Sequence, residues 1–273
     1  RDFNNETEDQ RTVAKMKSEK RMTFWRELLQ SIPANLKLIF VSRSFAEDVM
    51  EDLGFRIPED HYAIIHNPIN TGLFSYQEKP IAQRKKVLSI RPYASKIYAN
   101  DLSVKAIQLL SSKPYFYDME FRLIGDGLLF EETLAPLREF RNVYIEQRFL
   151  KQDEIATLHK EYGIFLCPSR MDTQGVSRDE AMSSGLVPVT NAVAAIPEFA
   201  DADCGVLAKS EDAQGLAEGI AYLYENPQQY SQRSRNAAKR VRAQSEQEKI
   251  IILELDMFNT EDRFTASILA TEK

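Results

Sequence analysis

Cysteine is scarce in this chain of 273 residues: there are two, Cys167 and Cys204. Neither has a partner at metal-ligand spacing, so buried free thiols in a reducing cytosol are expected rather than a metal ribbon or a disulfide framework. Histidine is scarce as well. His61, His66 and His159 form no cluster with cysteine or with the acids discussed below. His159 falls on a helix and is expected at the surface; His66 follows a strand and is a candidate for lining a cleft. Long apolar runs are missing. The longest, Leu36 to Val41 and Ile250 to Leu253, fall far short of a membrane span. The polar start, Arg1 to Lys20, carries no signal peptide, and the missing initiator Met points to a truncated or processed chain. Positive charge is not in excess either. Lys and Arg number 35 against 41 Asp and Glu, a net charge of −6, which argues against a general nucleic-acid coat. No P-loop, GxGxxG fingerprint, internal repeat or low-complexity segment is present.

What remains is an ordinary globular composition, 43% apolar and 28% charged, enough for one large domain or two modest ones. Residues 1–9 are polar and acidic and are expected to fray. Gln10 to Ile32 reads as a helix stopped by Pro33. Leu36 to Val41 reads as a strand, followed by a helix capped by Ser42 or Ser44 and running to about Leu53. Tyr62 to Ile65 reads as a strand ending in the turn His66-Asn67-Pro68. The polar stretch 70–85 reads as a linker.

From Val87 the pattern is regular. Strands are expected at Val87–Ile90, Phe121–Ile124, Val143–Ile145, Ile164–Cys167, Val187–Thr190 and Gly205–Ala208. Helical segments are expected between them, and Ser210 should cap the one that follows the last strand. Alternation with short connections predicts a doubly wound parallel sheet, and the almost wholly apolar strands fit burial on both faces. After Pro227 the chain reads as helical. Arg235, Lys239 and Arg242 share a face there, read mainly as a solvated stripe. Ile250 to Leu253 is ambiguous between helix and strand.

Ligands of such sheets bind beyond the strands' carboxyl ends. Those ends carry Arg91 and Lys96 on one loop, then Gly125-Asp126-Gly127, then Gln147 and Arg148, then Ser169 to Gly175, and lastly Asn191. Two cations, two glycine turns and two acids suit a ligand with a diphosphate and hydroxyls. Arg91 and Lys96 are the natural diphosphate partners. Gly175 leads into a helix, a ready anion site. Each acid has a local reading too. Glu180 could close a capping box on Ser177, and Asp172 could make an Asx-turn before Thr173. Asp201-Ala202-Asp203 reads as a loop.

Several segments resemble, in order, retaining group-one (family 4) nucleotide-sugar glycosyltransferases of the GT-B fold, chiefly their C-terminal donor-binding half. They are Ile64 to Asn70, the Arg91/Lys96 pair, Leu123-Ile124-Gly125-Asp126-Gly127, and Pro168-Ser169 with Asp172 and seven residues to Glu180-Ala181-Met182. Ser183 to Val189, Ile196 to Phe199 and Gly205 to Leu207 continue the match, which covers about residues 36–230. The resemblance implies a Rossmann-like α/β sheet with an incomplete N-terminal α/β portion: 1–80 as the tail of an acceptor-side domain, 81–226 as the donor-binding domain, and 227–273 as a helical segment packing back.

It also implies roles. Arg91 and Lys96 hold the diphosphate. Asp172 holds sugar hydroxyls. Gly175, Val176 and Ser177 offer backbone N–H groups, and Glu180 bonds the ribose. Catalysis would rest on Asp172, Glu180, Arg91 and Lys96, and donor binding also on Gly125. Gln147 and Arg148 lie where the base would be read. No cofactor or metal is expected. The implied partners are a nucleotide-diphosphate sugar, a glycan or lipid-linked acceptor of polysaccharide or O-antigen type, and the upstream chain, at a cytoplasmic site with peripheral attachment to the inner membrane. Asp172 stands where the family usually has Glu. That departure, with the short N-terminal part, leaves a non-catalytic nucleotide-sugar-binding module as the main alternative. A nucleotide-sugar epimerase comes next, and a two-carboxylate glycosidase last.

Overall fold

The computed structural model describes residues 8–258. The first helix, α1, spans Glu8–Gln30, so the expected fraying does not reach Glu8 and Asp9; residues 1–7 lie outside the described residues. Strand β1 (Leu38–Phe40) pairs in parallel with β2 (Tyr62–Ile64). Helix α2 (Arg43–Leu53) lies between them in sequence, capped by Ser42 and ended by Gly54 at φ 83°, the left-handed C-cap that glycine accepts without strain. Leu29, Phe40, Met50 and Leu53 form the core of this part.

Stretch 70–85, read from its polarity as a linker, is packed against the large domain at several points. Phe74 is buried, and its carbonyl accepts from Ser183 Oγ at 2.7 Å. Lys79 is buried and donates to the His159 carbonyl, and burial draws its ammonium down to about 8. Residues Ile81–Lys85 form a short 3-10 turn leading into the large sheet.

That sheet has six parallel strands: β3 (Lys86–Ile90), β4 (Glu120–Gly125), β5 (Val143–Gln147), β6 (Ile164–Leu166), β7 (Val187–Asn191) and β8 (Val206–Ala208). Their spatial order is β5-β4-β3-β6-β7-β8. The chain therefore steps outward from β3 to β5, returns beside β3, and steps outward the other way. The place where the direction reverses, between β3 and β6, is the topological switch point, where crevices open in such sheets. The interior strands β6 and β7 are buried at every residue; β6 is an unbroken apolar run, and β7 adds the buried polar residues Thr190 and Asn191 at its carboxyl end.

Helices α3 (Asn100–Leu110), α4 (Phe130–Leu134), α5 (Gln152–Glu161), α6 (Val176–Ser183) and α7 (Ile196–Phe199) connect the strands, and α8 (Ala213–Glu225) follows β8. The cap of α8 is Asp212, which accepts from Gly215 N, and not Ser210. Helix α9 (Pro227–Gln244) packs on α6, with Ser234 Oγ donating to the Gly185 carbonyl at 2.6 Å. On α9, Arg235 approaches Glu78 at 3.7 Å, while Lys239 and Arg242 are exposed.

A last helix, α10, covers 247–258, which resolves the ambiguous apolar run as helical; residues 259–273 of the expected C-terminal segment lie outside the described residues. Between α9 and α10 the chain clasps Ile69: Ile69 N donates to the Ser245 carbonyl and Gln247 N to that of Ile69. No helix among the described residues is long and apolar enough to cross a membrane.

Candidate functional site

Arg91 leaves β3 at the switch point. Its backbone N–H stays in the sheet's pattern, donating to the Ile124 carbonyl at 3.0 Å. The side chain is 6% exposed. Nη2 reaches the Pro168 carbonyl at 3.3 Å, and Nη1 reaches Ser177 Oγ at 3.4 Å. The Tyr98 ring lies 5.1 Å from the guanidinium carbon. Nε has no partner, and no carboxylate pairs with Arg91 among the described residues. A buried cation without a counter-charge is costly, so this geometry asks for an anion.

Lys96 opens a short 3-10 turn, Lys96–Tyr98, and is exposed. The turn is pinned from the loop after β6. Arg170 N donates to the Ile97 carbonyl at 2.8 Å, and Arg170 Nη1 to the Lys96 carbonyl at 2.6 Å. Arg170 is itself gripped by Asp101 at 2.8 Å and Glu211 at 2.7 Å. Those hydrogen bonds raise its already high pKa. The Arg91 and Lys96 pair thus sits on a braced support, Arg91 packed against Tyr98 and Lys96 exposed.

The acid loop follows β6. Asp172 does make the local Asx-turn: Oδ1 accepts from Gln174 N at 3.1 Å. Its carbonyl accepts from Ala195 N at 3.1 Å. Gly175, at φ 96°, is the N-cap of α6 and supplies no side-chain cap. The first-turn N–H groups of α6 are therefore left without an intrahelical acceptor. The capping box that Ser177 and Glu180 could have closed does not form, because the helix begins at Val176 and encloses Ser177. Freed from that role, the Glu180 carboxylate has no hydrogen-bond partner among the described residues; only its carbonyl is used, by Ser184. Burial, with the neighbouring Asp179 second, pushes it up to about 7.

Beneath the loop lies a set of residues that no sequence motif marks. Arg178 and Asp179 form an ion pair at 2.7 Å, with side chains 3% and 2% exposed. Arg178 Nη2 also donates to the Gln174 carbonyl, and the guanidinium lies 5.4 Å from the Phe199 ring. The available signal was position: Arg178 stands three and four residues before Ala181 and Met182, both buried, so it shares their face of the helix.

The remaining expectations divide. Gly125 is required by packing: an added Cβ would overlap the Arg91 carbonyl oxygen and crowd the Tyr93 ring. Gln147 and Arg148 lie at the end of edge strand β5, two strands and about 10 Å from β3. Gln147 donates to Asp126 at 2.8 Å, and Arg148 is paired with Glu146 and Glu154, both at 2.9 Å. Asn191 braces loops, accepting from Ser169 N and donating to the Lys209 carbonyl.

His66 packs its ring 4.8 Å from that of Phe199 and bonds the Val41 carbonyl at 2.8 Å. His159 is not at the surface. It is 0% exposed, among Phe74 and Phe165, with Nδ1 at 3.1 Å from Ser184 Oγ. Burial drives it down to about 3. Both cysteines are buried free thiols.

The six-stranded sheet matches the C-terminal domain of GT-B glycosyltransferases. TarM of S. aureus, solved with fondaparinux, alpha-GlcNAc-glycerol and UDP, superposes with TM-score 0.73 at 19% identity, covering 89% of this chain and 46% of TarM. Sucrose-phosphate synthase of Thermosynechococcus elongatus superposes with TM-score 0.72 at 17% identity, covering 91% of this chain and 62% of that one. By sequence, N-acetyl-alpha-D-glucosaminyl L-malate synthase of Bacillus anthracis is 30% identical over 138 residues, 49% of this chain and 35% of the relative. The chain thus spans about a third of that curated relative. Residues 77–240 match the family model described as glycosyl transferases group 1. The chain belongs to the group 1 glycosyl transferases.

Proposed function

We propose that this chain is the donor-binding portion of a retaining hexosyltransferase, which takes a sugar from a nucleoside diphosphate and passes it to a glycan or lipid-linked acceptor. The observation that carries the reading is Arg91: buried, unpaired with any described carboxylate, and aimed at Ser177 in the first turn of α6. A diphosphate would supply the missing charge, with Lys96 on its exposed side and the N–H groups of Gly175, Val176 and Ser177 completing the cradle. Asp172 keeps Oδ2 for sugar hydroxyls, since the Asx-turn uses Oδ1. Glu180 accepts from the ribose. Stabilising the departing diphosphate is the main catalytic task, and in this reading the cations and the helix terminus perform it without a metal. That TarM, a neighbour in fold, was solved with UDP supports a nucleotide as the ligand class.

In the same reading, residues 1–80 belong to the acceptor side, 81–226 to the donor domain, and 227–273 pack back across them. The test is calorimetric titration of the chain with UDP, GDP and ADP, alongside Arg91→Ala and Lys96→Ala. Binding of at least one diphosphate, strongly weakened with Arg91→Ala and less so with Lys96→Ala, is expected. Absence of binding by all three overturns the proposal.

A further inference from the structure

Gln174 sits beside the acid turn, 1% exposed, and every polar atom of its carboxamide is engaged. Oε1 accepts from Asn67 N at 2.6 Å. Nε2 donates to the Asn67 carbonyl at 3.1 Å and to Asp179 Oδ2 at 3.2 Å. One side chain therefore clasps both backbone groups of a residue 107 positions away in sequence. Asn67 belongs to the segment that leaves β2 and runs to Ile69, where α9 and α10 hold it. Asp179 turns its other oxygen to Arg178, whose Nη2 returns to the Gln174 carbonyl. The circuit closes on the residue immediately before Gly175, and an added Cβ at Gly175 would press on the Arg178 guanidinium.

A purely local brace for the Gly175 turn would need only Arg178 and the Gln174 carbonyl. The carboxamide adds a second connection, to the backbone of the β2 side. A nearby contact ties the same two parts: Glu198, on α7, accepts from Arg43 N at 2.9 Å and Ser44 N at 2.6 Å, at the first turn of α2. The Glu198 contact rests on α2, whereas Gln174 joins the anion turn itself to the chain that links the two sheets.

We propose that Gln174 is a positioning residue that couples the Gly175–Ser177 anion turn to the Asn67 segment, so that engaging a nucleoside diphosphate and fixing the β2 side are one event. The inference rests on the donor-site reading above and adds a coupling that this reading does not require. Filling the anion site stiffens the turn. Gln174 passes that stiffening to Asn67, because its carboxamide cannot leave without stranding the Asn67 N–H and carbonyl together with a carboxylate oxygen of Asp179.

The test is amide hydrogen exchange on the whole chain, with and without whichever of UDP, GDP or ADP binds. In the wild type, the nucleotide slows exchange in the Gly175–Ser177 turn and also at the Asn67 amide. In Gln174→Leu, the turn is still protected by nucleotide but Asn67 is not, and nucleotide affinity falls ~10-fold. Loss of a merely structural contact would speed exchange at Asn67 equally with and without nucleotide. Protection of Asn67 by nucleotide that persists in Gln174→Leu overturns the proposal. So does a wild type in which nucleotide protects the turn and leaves Asn67 unchanged, a result that needs no variant. If no diphosphate binds the wild type at all, the donor-site reading fails first and the coupling with it.

Discussion

Arg91 and Arg148 invite comparison. Each follows a parallel strand at the same edge of one sheet, and residue type and position alone make them equal candidates. The structure separates them by their partners. Arg148 is exposed enough to be solvated, and Glu146 and Glu154 neutralise it. Arg91 is buried at the switch point and keeps an orphaned Nε. The carboxylates divide in the same way. Glu146 is partly buried, which works against its charge, but hydrogen bonds from Arg122 and Arg148 prevail and hold it below the usual range. Glu180 has no such partner and is pushed up to about 7. Charge left uncompensated by the protein, rather than charge as such, marks a place for a ligand.

The largest effect is expected at Arg91. Arg91→Ala is expected to weaken diphosphate binding ~100-fold, about 2.8 kcal/mol, by calorimetry at matched salt. A smaller loss comes from displacing the cation without removing it. Gly125→Ala forces a methyl against the Arg91 carbonyl and Tyr93, and should cost about 1–3 kcal/mol of stability in denaturant melts, with weaker nucleotide binding. An unchanged melt would mean that the strand end is not held as described.

Glu180 and Glu146 should also differ in their response to pH. Glu180 has a folded value near 7 against an ordinary 4.5, so the folded state holds its proton longer. Its contribution to stability is present below about 4.5 and is lost as pH rises towards 7. Glu180→Gln should flatten that part of the stability profile of the unliganded chain; an identical profile would contradict the assignment. The smallest effect belongs to Arg148→Ala, which should leave nucleotide affinity within about twofold, since exposed ion pairs contribute little.

Much of the fold could be read from the chain. Apolar runs such as Ile164–Leu166 are unbroken because both faces are covered, and so they stand out. The helix boundaries were less legible. Ser210 looked like a cap, but the helix starts after Asp212, past Glu211 at φ 56°. His159 misled by its polarity, although it lies four residues after Ile155 on the face that also carries Tyr162, which is buried. At the site, Arg91, Lys96 and the Gly175 turn were visible as residue types at strand ends. The Gln174 clasp was not, because its partner is 107 positions away and no local pattern encodes it. Arg178 and Asp179 were hidden for another reason: neighbours in a helix do not ordinarily face each other, and here the burial of both brings them together.

The measurement that bears most directly on this account is the affinity of the tightest-binding nucleoside diphosphate for Arg91→Ala and Arg148→Ala, taken side by side with the wild type. A loss of ~100-fold is expected for the first and one within about twofold for the second. Equal losses, or a larger loss at Arg148, would contradict it.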